Sequence, residues 1–196
     1  MKRSRVFAVL AMLTVFLSAC GINSIPRAEE EAKAKWANVQ ADYQRRANLI
    51  PNIVASVKGA AGSEKEILLG VTEARASASR VAVTGDQLTD PQAMARFAEA
   101  QNRITLQLQR LQEAYPQLQS QGNFKLLITE LEGTENRIAI DIRDYNDSVQ
   151  AYNTRIRTFP DVIGAKVFYG AKPIVPYQAT TPGAEAAPTV DFGNSR

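Results

Sequence analysis

Between Ala28 and Phe159 the large apolar residues recur at alternating spacings of three and four. No run alternates with period two for long enough to make a core strand. A chain patterned in this way can bury its apolar surface only by packing helix against helix. The first helix is expected from about Ala28 to Ala61, with the seam Trp36, Val39, Tyr43, Ile50, Ile53, Val57. Pro51 lies inside it and removes a backbone donor, so a kink is expected near Ala47–Pro51. Gly62 breaks the pattern, and Ser63-Glu64-Lys65-Glu66 fits a capping box opening a second helix. Its seam is Ile67, Val71, Ala74, Ala78, Val81, whose small later members allow a close neighbour. Thr89 or Asp90 caps a third helix with Pro91 in its first turn and the seam Met94, Phe97, Gln101, Ile104, Leu108, Leu111, Tyr115; Pro116 stops it. The fourth runs from about Asn123 to Thr158 along Phe124, Ile128, Leu131, Glu135, Ile138, Ile142, Tyr145, Val149, Tyr152, Ile156 and Phe159.

The expected fold is therefore all-α, an antiparallel up-down four-helix bundle whose first and fourth helices are long. An extended coiled-coil hairpin is the alternative. After Phe159-Pro160 the pattern ends. Residues 161–176 are expected to pack loosely on the end of the bundle, and the Ala-, Pro-, Thr- and Gly-rich stretch from about 177 to 196 is expected to be largely disordered.

The N-terminus carries a different signal. Lys2, Arg3 and Arg5 precede an apolar run, Val6 to Leu17, and small residues then lead to Cys20, the chain's one cysteine. This is the layout of a bacterial lipoprotein signal, with residues 1–19 removed and Cys20 acylated, for example with palmitate. The apolar run is shorter than the roughly 20 residues a spanning helix needs. A lipid anchor and short tether over 20–27 are expected, followed by the bundle over 28–160. Gly21, which is not the aspartate that retains such proteins at the inner membrane, fits an outer-membrane protein facing the periplasm in a Gram-negative host.

Charge and composition narrow the chemistry. Without Lys2, Arg3 and Arg5 the 20 remaining basic residues balance 20 acidic ones, which disfavours nucleic-acid binding driven by phosphate contacts. There is no histidine, so triads and metal sites that need imidazole are excluded. Acylation of Cys20 would leave no free thiol. No catalytic residue, metal or cofactor is expected. Gly59 to Gly62 lacks the Lys-Ser/Thr of a phosphate loop. Asp141, Asp144 and Asp147 lie among arginines and read as a solvated face rather than a cation site, and Tyr43, Tyr145 and Tyr152 read as core residues with their hydroxyls at its edge.

Two seams are interrupted by charge. Arg46 fills the gap between Tyr43 and Ile50, and Glu135 the gap between Leu131 and Ile138. If the first and fourth helices run antiparallel with Val57 level with Phe124, then Arg46 is level with Glu135 and Trp36 with Tyr145. Burial without a partner would be very costly, so pairing is the natural solution. The pair reads as an interhelical ion pair that fixes register. A polar pocket with Asn48, Asn136 and Glu132 is a second reading, and an Arg46 that reaches out to water is a third.

The chain resembles the LemA family. The resemblance rests on Trp36 with Val39, on Tyr43-Gln44-Arg45-Arg46-Ala47-Asn48-Leu49-Ile50-Pro51-Asn52-Ile53-Val54, and on Val57-Lys58-Gly59 and Thr72-Glu73-Ala74-Arg75. It continues through Tyr115-Pro116, Glu130-Leu131, Thr134-Glu135-Asn136-Arg137-Ile138-Ala139, Tyr145-Asn146, Val149, Tyr152-Asn153, Phe159-Pro160 and Ala187 to Phe192. Three positions depart from the family pattern: Asn48 stands where aspartate is usual, and Ala60 and Ser63 stand where an aromatic residue and a histidine are often found. The resemblance implies a helical bundle at a bacterial membrane without established enzymatic activity, and a TPM-domain protein as partner. The expected function is a membrane-tethered scaffold or adaptor of the cell envelope that binds another envelope protein. The alternatives are a carboxylate-dependent envelope hydrolase and a homo-oligomeric spacer.

Overall fold

The computed structural model describes residues 23–60, 65–120 and 122–178. The expected signal segment 1–19, Cys20, the Gly62–Ser63 break with the start of its capping box, and residues 179–196 lie outside these. The fold is all-α. Its α-helices are α1 (Ser24–Ala60), α2 (Lys65–Ala78), α3 (Pro91–Ala114), α4 (Gly122–Arg155) and the single turn α5 (Asp161–Gly164). Where the sequence pattern gives four helices, the described residues thus contain five. Short 3-10 turns at Gly85–Thr89 and Pro116–Ser120 and a π turn at Ala165–Tyr169 complete the helical content. No helix among the described residues is long and apolar enough to cross a membrane.

α1 and α4 are the long pair and lie against each other along their length, while α2 packs along α3. Lys35 meets Asp144, Trp36 meets Tyr145 and Arg46 meets Glu135, so α1 and α4 run antiparallel in the register set by the two seams. Every α1 seam residue is buried. α2 buries Leu68, Val71, Ala74 and Ala78, with Ile67 only half-buried. The closeness of α2 and α3 shows at Gly70, where an added Cβ would come within 2.8 Å of the Gln107 side chain. Asp90, not Thr89, caps α3: its carboxylate accepts from the Gln92 amide at 2.8 Å, with Pro91 as the first helical residue.

Pro51 sits inside α1, as its position in the sequence requires. Having no N–H, it leaves the Ala47 carbonyl without its helical donor. Arg75 of α2 supplies one, donating from Nε at 2.7 Å.

The ends of the long helices differ from expectation. The segment read as a tether is already helical from Ser24, with Ile25 and Ala28 buried. Pro26 does not oppose this, because amides in a first helical turn have no intrahelical acceptor to lose. α4 stops at Arg155, short of Thr158, and Phe159 is 80% exposed rather than part of the seam. The approach to Pro160 disfavours helical backbone at the residue before it, and the Phe159–Pro160 bond is cis.

Residues 161–178 do not pack loosely. After α5 and the π turn, Gly170 takes a left-handed conformation (φ 54°) that turns the chain back along α4 as an extended strap. Asn153 grips Ile174 through both backbone groups at 2.8 and 2.9 Å, and Asn146 grips Tyr177 in the same way at 3.0 and 2.8 Å. Tyr145 and Tyr152 donate to the carbonyls of Val175 and Lys172, and the Val175 amide donates to Leu88. Ile174 and Tyr177 are thereby buried, so order extends into the region expected to be disordered from about 177.

The apolar interior falls into two clusters. One surrounds Trp36, Tyr43, Phe97, Tyr145, Tyr152 and Tyr177; the other contains Ile50, Ile53, Val57, Ile104, Leu111, Phe124 and Leu131. Trp36 lies edge-on to Phe97 with ring centres 5.2 Å apart and 5.1 Å from Tyr145, contacts each contributing about 0.5–1.5 kcal/mol beyond burial. Its indole N–H donates to the Val83 carbonyl at 2.9 Å.

Candidate functional site

The polar residues that interrupt the seams meet at the boundary between the two clusters. Arg46 is 1% exposed, and its guanidinium reaches α3 and α4 together. Nη1 donates to Glu135 Oε1 at 2.9 Å and to Thr105 Oγ1 at 3.0 Å; Nη2 donates to Gln101 Oε1 at 2.8 Å and to the Gln101 carbonyl at 3.0 Å. The Tyr43 ring lies 4.9 Å from the guanidinium carbon, a cation–π contact. Nε alone is buried without a hydrogen-bond partner. A planar fork with donors on several sides can make four hydrogen bonds to two helices from one buried point, one more than the three donors of a lysine allow.

Glu135 faces outward from this node, with its side chain 36% exposed. It lines a cleft of about 510 Å³ between α3 and α4, together with Thr105, Leu108, Gln109, Gln112, Leu131, Glu132 and Asn136. Two leucines form its apolar part; the other lining side chains are amides, a hydroxyl and two carboxylates. On the other side of Arg46, Tyr43 and Gln101 border a smaller cavity of about 140 Å³ between α1, α3 and the end of α2. The Tyr43 hydroxyl shares a 2.7 Å hydrogen bond with that of Tyr177. Burial, then the neighbouring Tyr177, holds the Tyr43 hydroxyl far above the ordinary phenol range, while the Arg46 charge pulls the other way.

The LemA family's sequence profile matches residues 35–192, a span containing Arg46, Gln101, Thr105, Glu135 and the whole cleft. The chain belongs to the LemA family. This LemA-family protein is 26% identical over 178 residues to magnetosome protein MamQ 2 of Paramagnetospirillum magneticum and to magnetosome protein MamQ of Magnetospirillum gryphiswaldense, an alignment covering 79% of this chain and 63% of each relative. It is 25% identical over 137 residues to Protein LemA of Metamycoplasma hominis, covering 70% of this chain and 60% of that one. The chain thus spans less than two thirds of the length of these relatives.

Of the residues singled out from the sequence, Arg46 and Glu135 meet, and Asn136 and Glu132 share the cleft with Glu135. Asn48 does not join them. It is exposed and accepts from Gln44 one turn earlier, because two residues beyond Arg46 the helix points elsewhere. Gln101 and Thr105 join the site without having been singled out from the sequence. Gln101 is visible there as a polar member of an otherwise apolar seam, whereas Thr105, one turn on, carries no such mark. A second polar contact joins α1 and α4 at Asp42 and Asp141. Asp42 is buried and paired with Arg45, and burial, with a hydrogen bond from the Asp141 carboxyl to Asp42, raises Asp141 above its ordinary range. Asp144 pairs with Lys35 at 3.0 Å and Asp147 is exposed, so the three aspartates read as one solvated face do not share one environment. Among the described residues no three acidic side chains are placed to hold a metal ion.

Proposed function

We propose that this LemA-family protein is a membrane-tethered helical adaptor of the bacterial envelope. Helices α1 to α4 form an up-down bundle, and the α3–α4 cleft receives a segment of a partner protein. The observation that carries this reading is the cleft: an open-sided groove of about 510 Å³ whose central carboxylate is held in place by a buried arginine. A carboxylate fixed by Arg46 is a positioned hydrogen-bond acceptor, and the amides of Gln109, Gln112 and Asn136 around it match peptide groups in both donating and accepting capacity. The tether is the acyl chain expected at Cys20, with the outer membrane as destination in a Gram-negative host. The family resemblance favours a TPM-domain protein as partner. The relatives named as magnetosome proteins fit a role at a cellular membrane. Photo-crosslinking residues placed at Gln109 and Glu132 in cells should capture one defined partner, while the same residue at exposed Gln150, outside the cleft, should not. Equal capture from Gln150, or none from the cleft, would count against the adaptor.

One observation favours a second reading. Glu132 and Glu135 both line the cleft, and residues three apart on a helix have Cβ atoms about 5–6 Å from each other. Carboxyl pairs within reach of one bond are what glycoside hydrolysis uses. A cell-wall hydrolysis that vanished in a folded Glu135→Gln variant would replace the adaptor with an enzyme. The homo-oligomeric spacer would show itself in light scattering of the detergent-purified chain.

A further inference from the structure

The large apolar side chains left exposed are not evenly spread. Leu69, Leu106, Leu126 and Ile140 stand apart on separate parts of α2, α3 and α4. Phe159, Ile163, Val167, Phe168 and Tyr169, exposed by 80, 54, 70, 66 and 42%, all fall within the eleven residues that form the turn after α4, α5 and the π turn. Scattered apolar residues are ordinary; a cluster of this kind on a folded surface marks an interaction site. Its surroundings are basic. Arg155, Arg157, Lys166 and Lys172 are exposed in the same stretch, against the single acid Asp161, and that acid accepts from Ser24 Oγ at 2.8 Å.

The Ser24–Asp161 bond also fixes where this patch sits. It ties the first turn of α1 to α5, so the N-terminal end of the described fold, at Ser24, four residues after Cys20, lies beside the patch. We infer that this end of the protein rests on a phospholipid surface, with Phe159, Ile163, Val167 and Phe168 entering the acyl boundary. Arg155, Arg157, Lys166 and Lys172 then lie at the level of anionic headgroups. Apolar side chains ringed by long basic ones are the composition of interfacial membrane contacts, because lysine and arginine can keep their charge at the headgroups while their stems follow the apolar surface. The inference rests on the tethered reading, since the tether brings this end to the membrane. It adds that the bundle stands on the bilayer in a fixed orientation, with the α3–α4 cleft carried away from it.

The test uses the full chain reconstituted into vesicles of phosphatidylethanolamine and phosphatidylglycerol, with or without brominated acyl chains. The native Trp36 is buried and supplies a constant background. Phe168→Trp and, as a second reporter, Ile163→Trp should gain emission that is blue-shifted by vesicles and lost with brominated lipid. Leu126→Trp, exposed at the start of α4, should show neither change. Flotation of the same samples, with Cys20→Ser alongside, reads the tether separately. A chain that floats while both introduced indoles stay unquenched overturns the inference and leaves the tether standing. A chain that does not float overturns both. Reporters already blue-shifted without vesicles would mean that a second copy or the N-terminal segment covers the patch, which also overturns it.

Discussion

The Arg75 side chain stands in for a backbone amide that Pro51 lacks, and this can be measured. The Ala47 carbonyl would normally accept from residue 51; instead it accepts from Arg75 Nε at 2.7 Å, and Ala47 is 8% exposed. Replacing Arg75 with methionine preserves most of the apolar stem but leaves a nearly buried carbonyl without a donor. The cost of an unmade bond to such a group is about 1–3 kcal/mol, and the lost bond had a charged donor, which places the estimate near the upper half, at about 2 kcal/mol. For a chain of this size that is a fall in melting temperature of about 4–8 °C. The decisive comparison repeats the substitution in Pro51→Ala, where residue 51 regains an N–H aimed at Ala47. There Arg75→Met should cost no more than about 0.5 kcal/mol, the ordinary scale for a surface change. Lost packing of the Arg75 stem contributes in both backgrounds and cancels in the cycle. Urea unfolding followed by far-ultraviolet circular dichroism gives the four stabilities. Equal costs in the two backgrounds would show that Arg75 does not replace the missing amide.

Removing either member of the Arg46–Glu135 pair should cost about 1–3 kcal/mol rather than the 3–5 of a fully buried pair, because the Glu135 side chain is 36% exposed; additive costs in a denaturant double-mutant cycle would separate the two residues energetically. Asn146→Ala and Asn153→Ala each remove two backbone grips on the strap and should cost about 1–3 kcal/mol apiece, with amide exchange accelerated at Ile174 and Tyr177; unchanged exchange there would contradict the strap's dependence on them. Burial raises the hydroxyls of Tyr43, Tyr145, Tyr152 and Tyr177 above the ordinary 10. Below pH 10 both states keep these protons; above it the unfolded chain loses them first, so stability falls as pH rises. Melting temperature should therefore decline from about pH 10 upward, with phenolate absorbance appearing together with unfolding; ionisation of all tyrosines well before unfolding would refute this.

The helices are legible in the sequence because burial there is periodic. Trp36, Tyr43, Ile50 and Val57 repeat every seven residues, and the fourth helix repeats in step through Phe124, Leu131, Ile138, Tyr145 and Tyr152. The strap is not legible, because Ile174 and Tyr177 belong to no repeat. Their places are set by hydrogen bonds from a distant helix. A trace exists in the doubled Tyr145-Asn146 and Tyr152-Asn153, seven residues apart, which put two tyrosines and two asparagines in parallel rows along α4. The exposed end of α4 departs from the pattern for a related reason: Phe159 continues the spacing of the seam, but periodicity carries no information about where the helix stops. At the site, charge in an apolar seam reveals Arg46 and Glu135, while Thr105 can be found only once α3 has been placed.

The Arg46–Glu135 pair also explains why two repetitive seams settle on one alignment. Apolar repeats of seven residues leave a seven-residue slip nearly neutral for packing, since leucine, isoleucine and valine positions simply exchange partners. The charged residues do not exchange. A slip of seven in either direction sets Arg46 opposite Ile128 or Ile142, and Glu135 opposite Val39 or Ile53. A guanidinium that is 1% exposed would then lose its counter-ion, a cost far above what the apolar exchange could return. Trp36 acts in the same sense, because its N–H to Val83 and its rings on Phe97 and Tyr145 all require the observed level. Register is therefore held at two heights, one aromatic and one charged. The charged height is also where α3 and α4 part to open the cleft, so the residue that fixes the alignment of the long helices also fixes the carboxylate that the cleft presents.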